Sequence, residues 1–260
     1  TAQKYSNWLL FYLFFQKQAP FSVPSWVEGG DKRVISFVRS ISPHEKACYH
    51  HIEFPSYKGV EVEVHYRPSF LLCFWHNRKL QKYYERVKEE QFSHRVMLGE
   101  QGEIAIPTVE FNLIFQLTHI YAHLMNEGIG LRQLLDYYYV LISDDLLLIR
   151  DRVQKELKEL GLWKFAGAIM YIMQEVFGMP ASRLIVPPNK KYGKFVLNEV
   201  LEAGNFGKHD ERNRFGKSKL GHNLQRVYRD IRLVRYFPAE AMSEPFFRVW
   251  HFFWRMKNKK

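Results

Sequence analysis

The chain has 260 residues, 47% hydrophobic and 25% charged, which fits one large domain or two small ones and reads as globular and soluble, excluding a disordered chain. Its net charge is +11, and between Phe206 and Lys260 fourteen basic side chains stand against five acidic ones, a field that attracts polyanions or an anionic surface. Cys48 and Cys73 show no CxxC spacing, which argues against a disulfide scaffold or a zinc knuckle and favours a reducing, cytoplasmic setting.

The longest apolar run, Trp8–Phe15, is too short to span a bilayer and reads as a buried helix or strand, broken by Pro20 and Pro24. A short helix is predicted over Lys32–Ser40. Tyr49–Phe54 and Val60–Tyr66 read as strands joined through Pro55–Gly59. Asn77–Glu90 is charged and helical, and Ser93–Leu98 with Glu103–Ile106 forms a hairpin across Gly99–Gly102. After Pro107 every periodic segment is helical: Val109–Asn126, Leu131–Ile142, Asp144–Leu160, Leu162–Phe177, Asn189–Ala203, His222–Tyr236 and Phe246–Met256. Thr108 and Ser143 are the expected N-caps, and Gly128, Gly161, Gly178 and Gly204 fall where helices end. The fold class is therefore α+β, a small α/β portion over residues 1–107 followed by an all-helical portion over 108–260.

Three places could carry chemistry. In Val60–His65 the residues alternate strictly, so Glu61, Glu63 and His65 share one sheet face. That row could bind a divalent metal, and it could equally be the wet face of an antiparallel sheet. In Phe111–Leu141 two helices meet at a Gly128–Gly130 elbow. His119 and His123 stand four apart on the first, Arg132 and Asp136 four apart on the second, and each pair shares a helix face. The histidines have HxxxH spacing but Ile120 where a metalloprotease helix carries Glu, so a polar core or pocket wall competes with a zinc site. Arg132 and Asp136 read as an intrahelical ion pair or as a phosphate-binding guanidinium oriented by a carboxylate. The third place is Gly204–Leu220, a basic loop where Lys208, Arg212, Arg214, Lys217 and Lys219 would guide a triphosphate or a nucleic acid if they are not simply solvated. The aromatic tail Phe246–Trp254 is expected to pack on the helices, with docking at a membrane surface as the competing reading.

His50-His51, the Val60–His65 strand, the His119–Leu141 hairpin and Glu202–Gly207 occur in this order, and together they resemble the uncharacterised bacterial nucleotidyltransferases of the DNA polymerase β-like superfamily. The resemblance runs from Trp26 to the C-terminus. It implies a partial nucleotidyltransferase-type mixed sheet over the first 107 residues, followed by a helical domain. It also implies a nucleoside triphosphate as partner, an acceptor of unknown identity, and transfer of a nucleoside monophosphate with release of pyrophosphate. Two Mg²⁺ ions held by carboxylates would drive that displacement. Glu63 matches the third carboxylate, two residues before the motif histidine His65, and Glu61 is the second metal-ligand candidate. Arg132, Asp136, His65, His119, His123 and Lys208 are the residues expected to line the nucleotide site. The chain departs from the pattern where a Gly-Asp-hydrophobic-Asp motif is expected: it reads Phe21-Ser22-Val23-Pro24, so residues 1–25 read as a divergent, frame-shifted or misassigned N-terminus. One carboxylate does not position two metals, so transfer should be impaired. The alternative is a non-catalytic module that binds nucleotide or nucleic acid through the basic C-terminal region.

Overall fold

The computed structural model describes residues 30–57, 60–97, 99, 102–126, 128–204, 212 and 219–258. The apolar run Trp8–Phe15 lies outside them. The fold is α+β with a helical majority. The described strands form two separate two-stranded antiparallel sheets, β1 (His51–Tyr57) with β2 (Val60–His65) and β3 (Arg95–Met97) with β4 (Glu103–Ala105). By its internal contacts the chain divides into two compact units.

The first unit comprises Thr1–Pro68, Tyr83–Thr108 and Arg248–Lys260. Its core forms where helix α1 (Gly30–Ile41) offers Val34, Ile35 and Val38 to one face of β1 and β2. Ile52 and Val64 are cross-strand partners on that face, with Phe54 and Trp254 packed against the same cluster. Period-two alternation decides which residues point inward. β1 runs further than its composition predicts, through Pro55 to Tyr57. The register slips between Phe54 and Tyr57, and that irregularity accommodates a proline that has no N–H for the ladder.

The second unit comprises Ser69–Lys82 and Val109–Phe247. Its helices are α3 (Val109–Asn126), α4 (Leu131–Leu141), α5 (Leu146–Glu159), α6 (Trp163–Phe177), α7 (Lys190–Ala203) and α8 (Lys219–Val234). Helix α2 (Phe74–Ser93) begins in this unit and ends in the first, as does α9 (Pro238–Lys257). α3 closes where the Gly128 amide donates to the His123 carbonyl, and α4 opens with Gln133 accepting from the Gly130 amide. Leu113, Ile114, Leu117, Leu134, Tyr137 and Leu141 on the two arms are buried, and the Tyr137 hydroxyl donates to the Leu113 carbonyl at 3.1 Å. The expected glycine stops all have positive φ. At Gly178 the left-handed C-cap ends α6. Ser143 is not an N-cap: α5 starts after Asp145, and no side chain caps it. α9 begins at Pro238 instead of Phe246 and carries Pro245 inside. Proline suits the first helical position because its missing N–H would be unused there.

Candidate functional site

In the first unit the β1–β2 ladder sets His51 opposite His65 and Glu53 opposite Glu63. These four residues share one face of the pair, because the intervening Ile52 and Val64 face the core. His50 precedes the strand, and its carbonyl accepts from the amides of Tyr66 and Arg67 at 3.0 and 3.1 Å. Those two bonds pin the backbone at His50 against the end of β2.

Three imidazoles and one carboxylate converge here. His65 Nε2 lies 3.2 Å from Glu63 Oε2, and His51 Nε2 lies 3.8 Å from Glu63 Oε1. His51 Nδ1 and His50 Nε2 are 3.0 Å apart. The Glu63 side chain is 53% exposed, whereas those of His51 and His65 are 14% and 12% exposed. Solvent therefore reaches the carboxylate while the rings are held in a semi-buried row. Burial keeps the His51 imidazole below its ordinary pKa, although Glu63 pulls the other way. On the part of α9 that belongs to this unit, burial, then Arg255 and His51, depress His251 to about 4. At His51 and His251 burial favours the neutral ring. Sequence reading picked out Glu63 and His65. It missed His50 and His51 as members of the same cluster, because only the strand register places His51 beside His65. The side chain of Glu61 and the whole of Lys208 lie outside what is described.

In the second unit the first arm of the elbow brings His119 and His123 together as their spacing predicts. His119 Nε2 and His123 Nε2 are 2.9 Å apart, so one ring donates to the other, and Phe115 lies beside His119 at 5.8 Å between centroids. Arg132 and Asp136 are both exposed on α4. Burial pushes the Asp136 carboxyl above its ordinary pKa, and the Arg132 charge offsets part of that rise.

A second cluster lies within this unit and was not anticipated. Glu240, almost fully buried, accepts from the amides of Leu72 and Cys73 at 2.6 and 2.9 Å and meets His76 Nδ1 at 2.9 Å. A carboxylate at the start of α2 satisfies amides that the helix itself leaves open. Its two backbone bonds make it a helix cap. Among the described residues, these two clusters, His50–His51–His65 and Cys73–His76–Glu240, each bring three ligand-type side chains within metal-holding range.

The basic C-terminal region is partly turned inward. Glu199 on α7 accepts from Arg212 Nη1 and Nη2 at 2.8 and 3.1 Å and from Arg232 Nη2 at 3.2 Å. Arg229 is buried deeply enough for desolvation to lower it to about 10. The charge count therefore overstates the cations available to a polyanion.

The model of a family described as an uncharacterised nucleotidyltransferase matches residues 31–178. That span holds the His50–His51–His65 face, Glu63 and the whole α3–α4 elbow, and the chain belongs to that family. No curated protein and no solved structure matches it.

Proposed function

We propose that this chain binds a nucleoside triphosphate on a nucleotidyltransferase scaffold, and that Glu63 is the carboxylate on which metal-dependent handling of that nucleotide depends. The observation that carries the reading is the family match over residues 31–178, which includes the one exposed carboxylate set between two semi-buried histidines. The reaction class it implies moves a nucleoside monophosphate from the triphosphate to an acceptor hydroxyl and releases pyrophosphate.

The donor set fits one magnesium ion better than two. Magnesium is held through one or two carboxylates together with substrate phosphates and keeps several waters. Glu63, exposed on β2, suits that role. A second ion would need the paired aspartates, for which the chain reads Phe21-Ser22-Val23-Pro24. When bound, the ion would neutralise phosphate charge. His65, within hydrogen-bond distance of Glu63 Oε2, orients the carboxylate.

Nucleotide binding is thus retained and transfer is slow. With metal-stripped protein and added Mg²⁺, nucleoside triphosphates raise the melting temperature. Glu63→Gln removes that rise, and pyrophosphate release stays near background. Absence of any nucleotide-dependent shift would overturn the binding reading. Rapid pyrophosphate release that Glu63→Ala abolishes would show a competent two-metal enzyme and overturn the impairment. The basic-region alternative predicts salt-sensitive RNA or DNA binding without Mg²⁺, and the inward turn of Arg212 and Arg232 weakens it.

A further inference from the structure

We propose that His50, His51 and His65, with Glu63 beside them, form a binding site for a divalent transition metal of the zinc class. One nitrogen from each of the three rings lies within 4.8 Å of the others. A tetrahedral zinc ion with bonds of about 2.0–2.1 Å to imidazole places its ligand atoms roughly 3.3 Å apart. His50 Nε2 and His51 Nδ1 already approach at 3.0 Å, and Glu63 lies 3.2 Å from His65 Nε2 and 3.8 Å from the other nitrogen of His51, Nε2. Small ring rotations close the rest.

The scaffold holds the ligands in place without the metal. Cross-strand register fixes His51 beside His65, and paired amide bonds fix His50 at the ladder's end. Imidazole nitrogen selects zinc, copper, nickel or iron over magnesium, which demands oxygen. The face also carries an electrostatic cost that a cation relieves: Glu53 stands directly opposite Glu63, and like charges in that position destabilise a sheet. With three nitrogens and one solvent-reached carboxylate, the site resembles an open zinc site more than a closed structural one, since the carboxylate can yield its position to water. Stripped of zinc, the same face still presents Glu63 to a metal–nucleotide complex. The inference does not rest on nucleotide binding, and it is tested in the absence of nucleotide.

The full chain, freed of metal by a chelator, is titrated with Zn²⁺ against a chromogenic competitor and, in parallel, with Co²⁺ followed by absorption. The expected result is one equivalent of Zn²⁺ that millimolar Mg²⁺ does not displace. His51→Gln and His65→Gln each weaken it by at least about tenfold, and Glu63→Gln weakens it less. The Co²⁺ spectrum shows intense visible bands and no thiolate charge transfer. Because a histidine variant can fail to fold, the wild-type protein is also modified with diethyl pyrocarbonate with and without Zn²⁺ and mapped by mass spectrometry. Protection confined to His50, His51 and His65 supports the site. Protection at His119 and His123 instead, a thiolate band, loss of binding in Cys73→Ser, or no stoichiometric uptake overturns it.

Discussion

Glu240 shows how much one side chain holds together. It receives two backbone amides and an imidazole in a place water does not reach. Removing an acceptor from buried donors costs about 1–3 kcal/mol per orphaned group. Glu240→Ala therefore destabilises the protein by about 3 kcal/mol in chemical denaturation. Glu240→Gln loses less, because its carbonyl oxygen still accepts; equal losses would mean that the carboxylate's charge, and not its hydrogen bonds, is what counts. The histidine face shows the opposite case, in which residues are visible in the sequence but their grouping is not. The strict alternation of Val60–His65 by itself places Glu63 and His65 on one face. The addition of His51 required the register His51↔His65, which depends on how the strands pair and not on either strand alone.

At the level of elements, helix boundaries after Pro107 were largely legible because apolar spacing and glycine stops agreed. α3 spans Val109–Asn126 as its pattern predicts. The misses have physical causes. Pro55 read as a strand end, but a register irregularity carried β1 past it. Ser143 read as a cap, but α5 starts three residues later. Phe246 reads as the start of the last helix, yet α9 runs from Pro238 through Pro245. α6 and α7 approach closely because residue 193 has no side chain: a Cβ there would sit 2.3 Å from Tyr171 Cδ1. Gly193→Ala therefore forces the Tyr171 ring out of place. Its intrinsic gain in helix propensity, about 1 kcal/mol, is outweighed by overpacking of about 1–3 kcal/mol. The measured outcome should be a net loss in melting temperature. A gain would mean that the helices slide apart easily and that their contact is looser than described.

Over the whole molecule, charge distribution decides which partners are favoured. Glu199 neutralises part of the basic excess by engaging Arg212 and Arg232. Glu199→Gln releases those cations toward solvent. The salt dependence of binding to a labelled RNA oligonucleotide should then steepen by roughly 1–2 in log–log slope, since each released cation contributes about one unit. An unchanged slope would place both arginines outside any polyanion contact. Among the described residues no helix is long and apolar enough to cross a membrane.

The carboxylate at position 63 is proposed to serve a metal-bound nucleotide in a chain that belongs to a nucleotidyltransferase family. The most direct measurement of that role is equilibrium binding of a fluorescent nucleoside triphosphate to metal-stripped protein, with and without Mg²⁺, for wild type and Glu63→Gln. The expected result is Mg²⁺-dependent binding that the variant weakens by at least about tenfold, roughly 1.4 kcal/mol. Equal affinity in the two proteins, or binding indifferent to Mg²⁺, would contradict it.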